Sequence, residues 1–153
     1  MNKYVYLAGP IEGLVWSEAF EWRKKAEIFL KDAGIEVYNP GIFVPDFLKG
    51  EKITLEAVAK ITNTFILDLK DQLYFHSKFE LENCNIILFN LKHSEITPIS
   101  VGTFWELGAS SVESKLRLAI NMPQKFKRNP FISNSINLNF GSLDEALDYI
   151  VRL

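Results

Sequence analysis

The residues with the most chemical promise sit where apolar runs end. Glu106 lies in the segment SVGTFWELG (Ser100 to Gly108), which follows the apolar run Ile86 to Phe89 after a polar loop. A helix opening near Val101 or Gly102 places Glu106 about one turn in, with its side chain leaning back toward the strand ends. A carboxylate there can attack the anomeric carbon of a ribose or deoxyribose through an oxocarbenium-like transition state. The covalent glycosyl ester that results is resolved by water or a second base. The plainer account of Glu106 is an ordinary first-turn glutamate favoured by the helix dipole. Ser100, Gly102 and Thr103 stand at the same helix start, where free amides and hydroxyls can grip an anion or simply cap the helix. Tyr6 belongs to the first β-favouring run, where a half-buried aromatic is equally ordinary. Just beyond it, Gly9 allows the backbone to approach a ligand closely, while Pro10 and Ile11 can shape a pocket wall.

Other chemistries find little support. His76 and His93 are isolated and Cys84 is the single cysteine, so neither a metal-ligand spacing nor a disulfide framework is present. The segment AGPIEG lacks the glycine spacing of a dinucleotide loop, and no cofactor is implied. A formal net charge of -2 with interspersed signs offers no basic face to a nucleic-acid polymer, although one small anion remains compatible with helix amides. The opening MNKYVYLAGP carries an apolar stretch of about five residues ending in Gly-Pro, too short for a signal peptide or membrane span. The cytoplasm is the expected compartment.

These residues need a frame. With 153 residues, 48% of them hydrophobic, the chain is expected to form one compact domain over 1–153. Val5 to Ala8, Ile35 to Tyr38, Ile86 to Phe89, Leu116 to Ile120 and Ile136 to Phe140 read as strands. Helical spacing covers Ser17 to Ala33, Ile53 to Lys60, Leu69 to Glu82, Gly102 to Ser114 and a last helix capped by Ser142, with Leu143, Ala146, Leu147 and Ile150 on one face. Strands alternating with helices predict an α/β three-layer sandwich around a five-stranded parallel sheet, flavodoxin-like or Rossmann-like. In such sheets ligands sit at the carboxyl ends of the strands, which selects the loops Gly9 to Trp16, Asn39 to Gly50 and Asn90 to Gly102. The middle loop, turn-rich yet apolar, reads as an ordered cover over the site.

Two motifs, YLAGPI at Tyr6 to Ile11 and SVGTFWELG, resemble the pattern of the nucleoside 2-deoxyribosyltransferase superfamily. Trp22-Arg23, Asn39-Pro40 and FELENCNIILFNL extend the resemblance over nearly the whole chain. The resemblance implies that Glu106 is the nucleophile and that the Tyr6 phenol orients it. Transferases acting on free nucleosides carry Asp where this chain has Ser100, whereas the branch that hydrolyses nucleoside 5'-monophosphates has Ser there. Since a carboxylate repels a phosphate, Ser100 favours a nucleotide. The chain departs from the family at Ser77, which aligns with an Asp that protonates the leaving base or holds the sugar. Serine is no general acid near neutral pH. Asp71, or Asp68, can supply the proton instead, His76 can substitute, or the chain binds its ligand without turning it over; Ser77 would then contact the sugar. The resemblance further implies a homodimer or higher oligomer with a shared site, to which the loop after the fourth strand contributes Asn129. A solvated basic loop around Lys125, Lys127 and Arg128 is the simpler reading of that segment.

Overall fold

The computed structural model describes residues 2–44, 50–94, 101–112 and 114–153. Five strands form one sheet: β1 (Tyr4–Ala8), β2 (Glu36–Tyr38), β3 (Ile86–Asn90), β4 (Leu116–Ile120) and β5 (Leu138–Phe140). Every pairing is parallel, and the order is β2-β1-β3-β4-β5. This is the flavodoxin-like order, which reverses direction between β1 and β3 and opens a crevice at their carboxyl ends. The β3 sequence IILFN is buried at all five positions, as a parallel strand covered on both faces requires.

One face is covered by α1 (Trp16–Asp32) and α7 (Leu143–Arg152), the other by α3 (Ile66–Asn83) and α4 (Val101–Ser111). Side chains divide by strand alternation. Val5, Leu7, Ile86, Leu88, Leu118 and Ile120 meet Ala26, Leu30, Ala146, Leu147 and Ile150 on the first face. On the second, Tyr6, Ala8, Ile87, Phe89 and Ala119 meet Leu81 and Leu107. A third cluster packs Leu14, Ala19 and Phe20 against Ile53, Val58, Ala59 and Leu69, joining α1 to α2 (Leu55–Thr62).

Local signals explain most of the boundaries. Thr54 caps α2, accepting from the Ala57 amide at 3.1 Å, and Ser142 caps α7, accepting from the Glu145 amide at 3.2 Å. Gly34, at φ 76°, follows the end of α1. Several boundaries differ from the sequence expectation. Helix α3 begins at Ile66 rather than Leu69, α2 runs Leu55–Thr62 rather than Ile53 to Lys60, α4 ends at Ser111 rather than Ser114, and β5 begins at Leu138 rather than Ile136. The β4–β5 connection, read as a loop, holds two single-turn helices, α5 (Gln124–Lys127) and α6 (Pro130–Ser133), that seat Phe126 and Ile132 on the second face. The segment after Asn39-Pro40 starts with a 3-10 turn over Pro40–Phe43, and residues 45–49 of that expected cover lie outside the described residues.

Candidate active site

The crevice between β1 and β3 gathers the polar residues of the core. Glu106 reaches it from the second turn of α4, where the buried face is set by Thr103, Leu107 and Ser110. The Tyr6 hydroxyl, from the middle of β1, donates to Glu106 Oε1 at 2.7 Å. The Tyr6 ring is fully enclosed and packs against Tyr38 of β2 with centroids 5.1 Å apart. From α3, Ser77 acts on both phenols and favours their ionised forms. That influence on Tyr38 falls short of a bond: its hydroxyl is buried and, among the described residues, makes no hydrogen bond of good geometry. The His76 ring lies parallel to Tyr38 at 6.1 Å, with Nδ1 3.9 Å from Glu80.

Enclosure sets the acidity of the group. Burial is the leading cause that pushes Glu106 up from 4.5 to about 7, and the Tyr6 hydrogen bond and the positive charge of Arg23 oppose it. Glu106 nonetheless keeps some surface open, as a group that meets a ligand must. Burial likewise raises Tyr6, with the neighbouring Glu106 charge adding to it, so the phenol stays a proton donor. Tyr38 is pushed up to about 12, again chiefly by burial. A carboxylate fixed by one phenol at the mouth of a parallel sheet, and titrating near neutrality, can serve as a nucleophile or as a general acid-base.

Arg23, quoted in the sequence only as part of a motif, is the residue that site reasoning passed over. It shares the inner face of α1 with Ala19, Ala26 and Leu30 and has 0% exposure. A charge at helical spacing within an apolar face was the signal that could have found it.

No protein-family model matches the chain, and no curated protein matches it in sequence. Solved structures do. A 2-deoxyribosyltransferase from the psychrotolerant bacterium Bacillus psychrosaccharolyticus superposes with a TM-score of 0.64 over 95% of this chain and 91% of that one, at 21% identity. The fold is that of a 2-deoxyribosyltransferase. A conserved protein from Enterococcus faecalis V583 matches over 99% of both chains, with a TM-score of 0.59 and 13% identity.

Within this 2-deoxyribosyltransferase fold the expected site residues are distributed unevenly. Glu106, Tyr6 and Ser77 come together. Gly9 ends β1 beside them at φ 156°, and a Cβ there would stand 2.8 Å from the Asn90 carbonyl oxygen, so close packing of the β1 and β3 ends requires glycine. Pro10 is buried, and Ile11 packs on the third cluster beside Leu14. Gly102 and Thr103 lie in the first turn of α4, Gly102 exposed and Thr103 buried; Ser100 is outside the described residues. Asp71 is exposed on α3, and six residues of helix place it roughly 120° around the axis from Ser77. The Asn129 side chain caps α6, accepting from the Phe131 and Ile132 amides at 2.9 and 3.3 Å. A concavity of about 400 Å³ lies at the opposite end of the sheet between Tyr4, Lys31 and Gly34 to Val37, away from Glu106. Among the described residues no helix is long and apolar enough to cross a membrane.

Proposed function

We propose that this chain cleaves the N-glycosidic bond of a nucleoside or 2'-deoxynucleoside 5'-monophosphate, with Glu106 as nucleophile. The observation that carries the reading is the Tyr6 to Glu106 hydrogen bond at the mouth of the crevice, which holds one carboxylate oxygen and leaves the other for a substrate. The ionised Glu106 oxygen forms a bond to C1' of the sugar as the C1'–N bond breaks, and the base departs with the bonding electrons and takes up a proton. Water then cleaves the glycosyl ester in hydrolysis; a second base does so in transfer. The Bacillus psychrosaccharolyticus protein of the same fold is a 2-deoxyribosyltransferase, which agrees with this chemistry. Ser100 favours the monophosphate because it adds no charge where a phosphate would sit.

The chain is further proposed to work as a homo-oligomer. Helix α3 exposes Leu67, Tyr74, Phe75 and Phe79, and Tyr74 touches Trp105 of α4 at 5.5 Å. Phe75 and Phe79 keep 63% and 61% of their surface. Together these side chains offer on the order of 600 Å² of apolar surface, which with a polar rim reaches the ~800 Å² per partner of a standard interface. A second copy is the occupant whose matching face supplies the same area. Asp71 stands on this outer side, so a shared site is its route to a leaving base.

A second reading is favoured by Ser77. No carboxylate other than Glu106 meets Tyr6 among the contacts described, and a chain without a general acid can bind a nucleotide as a sensor and leave it intact. Incubation with a panel of ribo- and deoxynucleoside 5'-monophosphates and free nucleosides, with base release followed by chromatography, separates the readings. Release abolished by Glu106→Ala supports the enzyme. Release from nucleosides alone overturns the Ser100 argument, and a nucleotide that raises the melting temperature without any release overturns catalysis.

A further inference from the structure

Arg23 is among the largest fully enclosed side chains of the protein, and it carries a full charge into the core. Its Nη2 donates to the Gly9 carbonyl at 2.7 Å and its Nη1 to the Ala19 carbonyl, while Nε is buried without a partner among the described residues. The guanidinium lies 4.6 Å from the Trp22 ring centroid and 5.6 Å from that of Phe20. No carboxylate forms an ion pair with it among the described residues. An enclosed guanidinium held only by carbonyl dipoles and ring faces is costly, because burial opposes its charge.

Placement gives the charge a purpose. Arg23 belongs to the helix layer on one side of the sheet, whereas Glu106 and Tyr6 project into the layer on the other. The end of β1 separates them, and there the chain has glycine. A Cβ at Gly9 would stand 3.4 Å from both Arg23 Nη2 and Trp22 Cζ2, so the bare backbone lets the guanidinium come up against the strand end. Arg23 thus grips the Gly9 carbonyl, and its charge acts on Glu106 from the far side of β1.

We propose that Arg23 is a positioning residue: it fixes the end of β1 through the Gly9 carbonyl and sets an enclosed positive charge across that strand from Glu106, without touching the substrate. The proposal rests on Glu106 being the reactive group of the proposed function. Among the described residues the charged and titratable groups around Glu106 are Tyr6 on β1, Tyr38 on β2 and Arg23 on α1, with His76 and Glu80 of α3 beside Tyr38. Of these Arg23 is the one permanent cation.

The test reads Glu106 directly and needs no turnover. The Glu106 carboxyl carbon is followed by NMR against pH in wild type, Arg23→Met and Arg23→Lys, with Glu106→Gln to assign the signal. The expected result is a midpoint raised by about half to one pH unit in Arg23→Met and nearly restored in Arg23→Lys. A folded Arg23→Met with an unmoved midpoint overturns the proposal, since a strut for the Gly9 carbonyl alone would not alter that titration. The wild-type protein supplies a second measurement that survives misfolding of either variant. The Arg23 guanidinium resonances should shift with the same midpoint as the Glu106 carboxyl and lose that transition in Glu106→Gln, because coupling is reciprocal. Absence of a shared midpoint overturns the proposal. Coupled titration without base release leaves the role of Arg23 standing and removes the catalytic reading instead.

Discussion

Replacing Glu106 with Gln should make the protein more stable, and increasingly so as pH rises. Glutamine keeps the size of the side chain and an oxygen for the Tyr6 hydroxyl, but it cannot ionise. In the native chain burial lifts Glu106 from 4.5 to about 7, so the folded state holds this proton more tightly than the unfolded state. The associated stability is complete below about pH 4.5 and is lost as pH climbs through 7, at up to about 1.4 kcal/mol per pH unit and about 3 kcal/mol in all. The variant has no such loss. Urea unfolding of both proteins near pH 5 and pH 8 should give a stability gap about 2.5 kcal/mol wider at the higher pH, or roughly 5–10 °C in melting temperature for a chain of this size. Other titrating groups are common to both proteins and cancel in the difference. A gap that is equal at the two pH values, or that narrows at pH 8, would refute the claim that the fold penalises the Glu106 charge. The trade follows a general pattern in which reactive sites are held at a cost to stability.

Tyr6→Phe retains the enclosed ring and removes the hydrogen bond that lowers Glu106, so the ascending limb of kcat/KM against pH should move up by roughly one unit; an unmoved limb removes the phenol from the mechanism. Gly9→Ala puts a Cβ 2.8 Å from the Asn90 carbonyl, and a loss of about 2 kcal/mol or more is expected in denaturant titration. Gly102→Ala, whose Cβ meets nothing within 4 Å, is the control and should leave the midpoint nearly unchanged. Phe75→Ser combined with Phe79→Ser should shift the mass seen by light scattering toward the monomer, with the fold intact by circular dichroism; an unchanged mass places any interface elsewhere.

Much of this was readable in the residues, for identifiable reasons. β3 stood out because a strand buried on both faces cannot alternate, and IILFN does not. The motifs singled out Glu106 and Tyr6 separately, and the structure adds their contact. Helix α3 was harder: Ile66, Leu67, Phe75 and Phe79 lie on its solvent side, so apolar residues surround the helix and blur the period that marks a boundary. The single-turn helices α5 and α6 are too short to show any period, yet Asn129-Pro130 is a capping residue followed by proline at the first helical position, a start signal that was there to be read. Arg23 was overlooked because charge on a helix is ordinarily assigned to solvent, and only its phase with Ala19, Ala26 and Leu30 shows otherwise.

The loop after β1 is attached more firmly to α2 than its place in the chain suggests. Ile53 accepts from the Gly13 amide at 2.7 Å and donates to the Leu14 carbonyl at 2.8 Å, and Val15 pairs antiparallel with Lys52. Those bonds, with Ile11 and Leu14 packed among Val58, Ala59 and Leu69, make this loop and α2 a single cooperative unit resting on the sheet. Local opening should therefore release residues 11–15 and 53–62 together, and their slow amides should exchange with one common protection while those of β1 and β3 stay closed. The sheet that carries Tyr6 would stay undisturbed while that unit breathes.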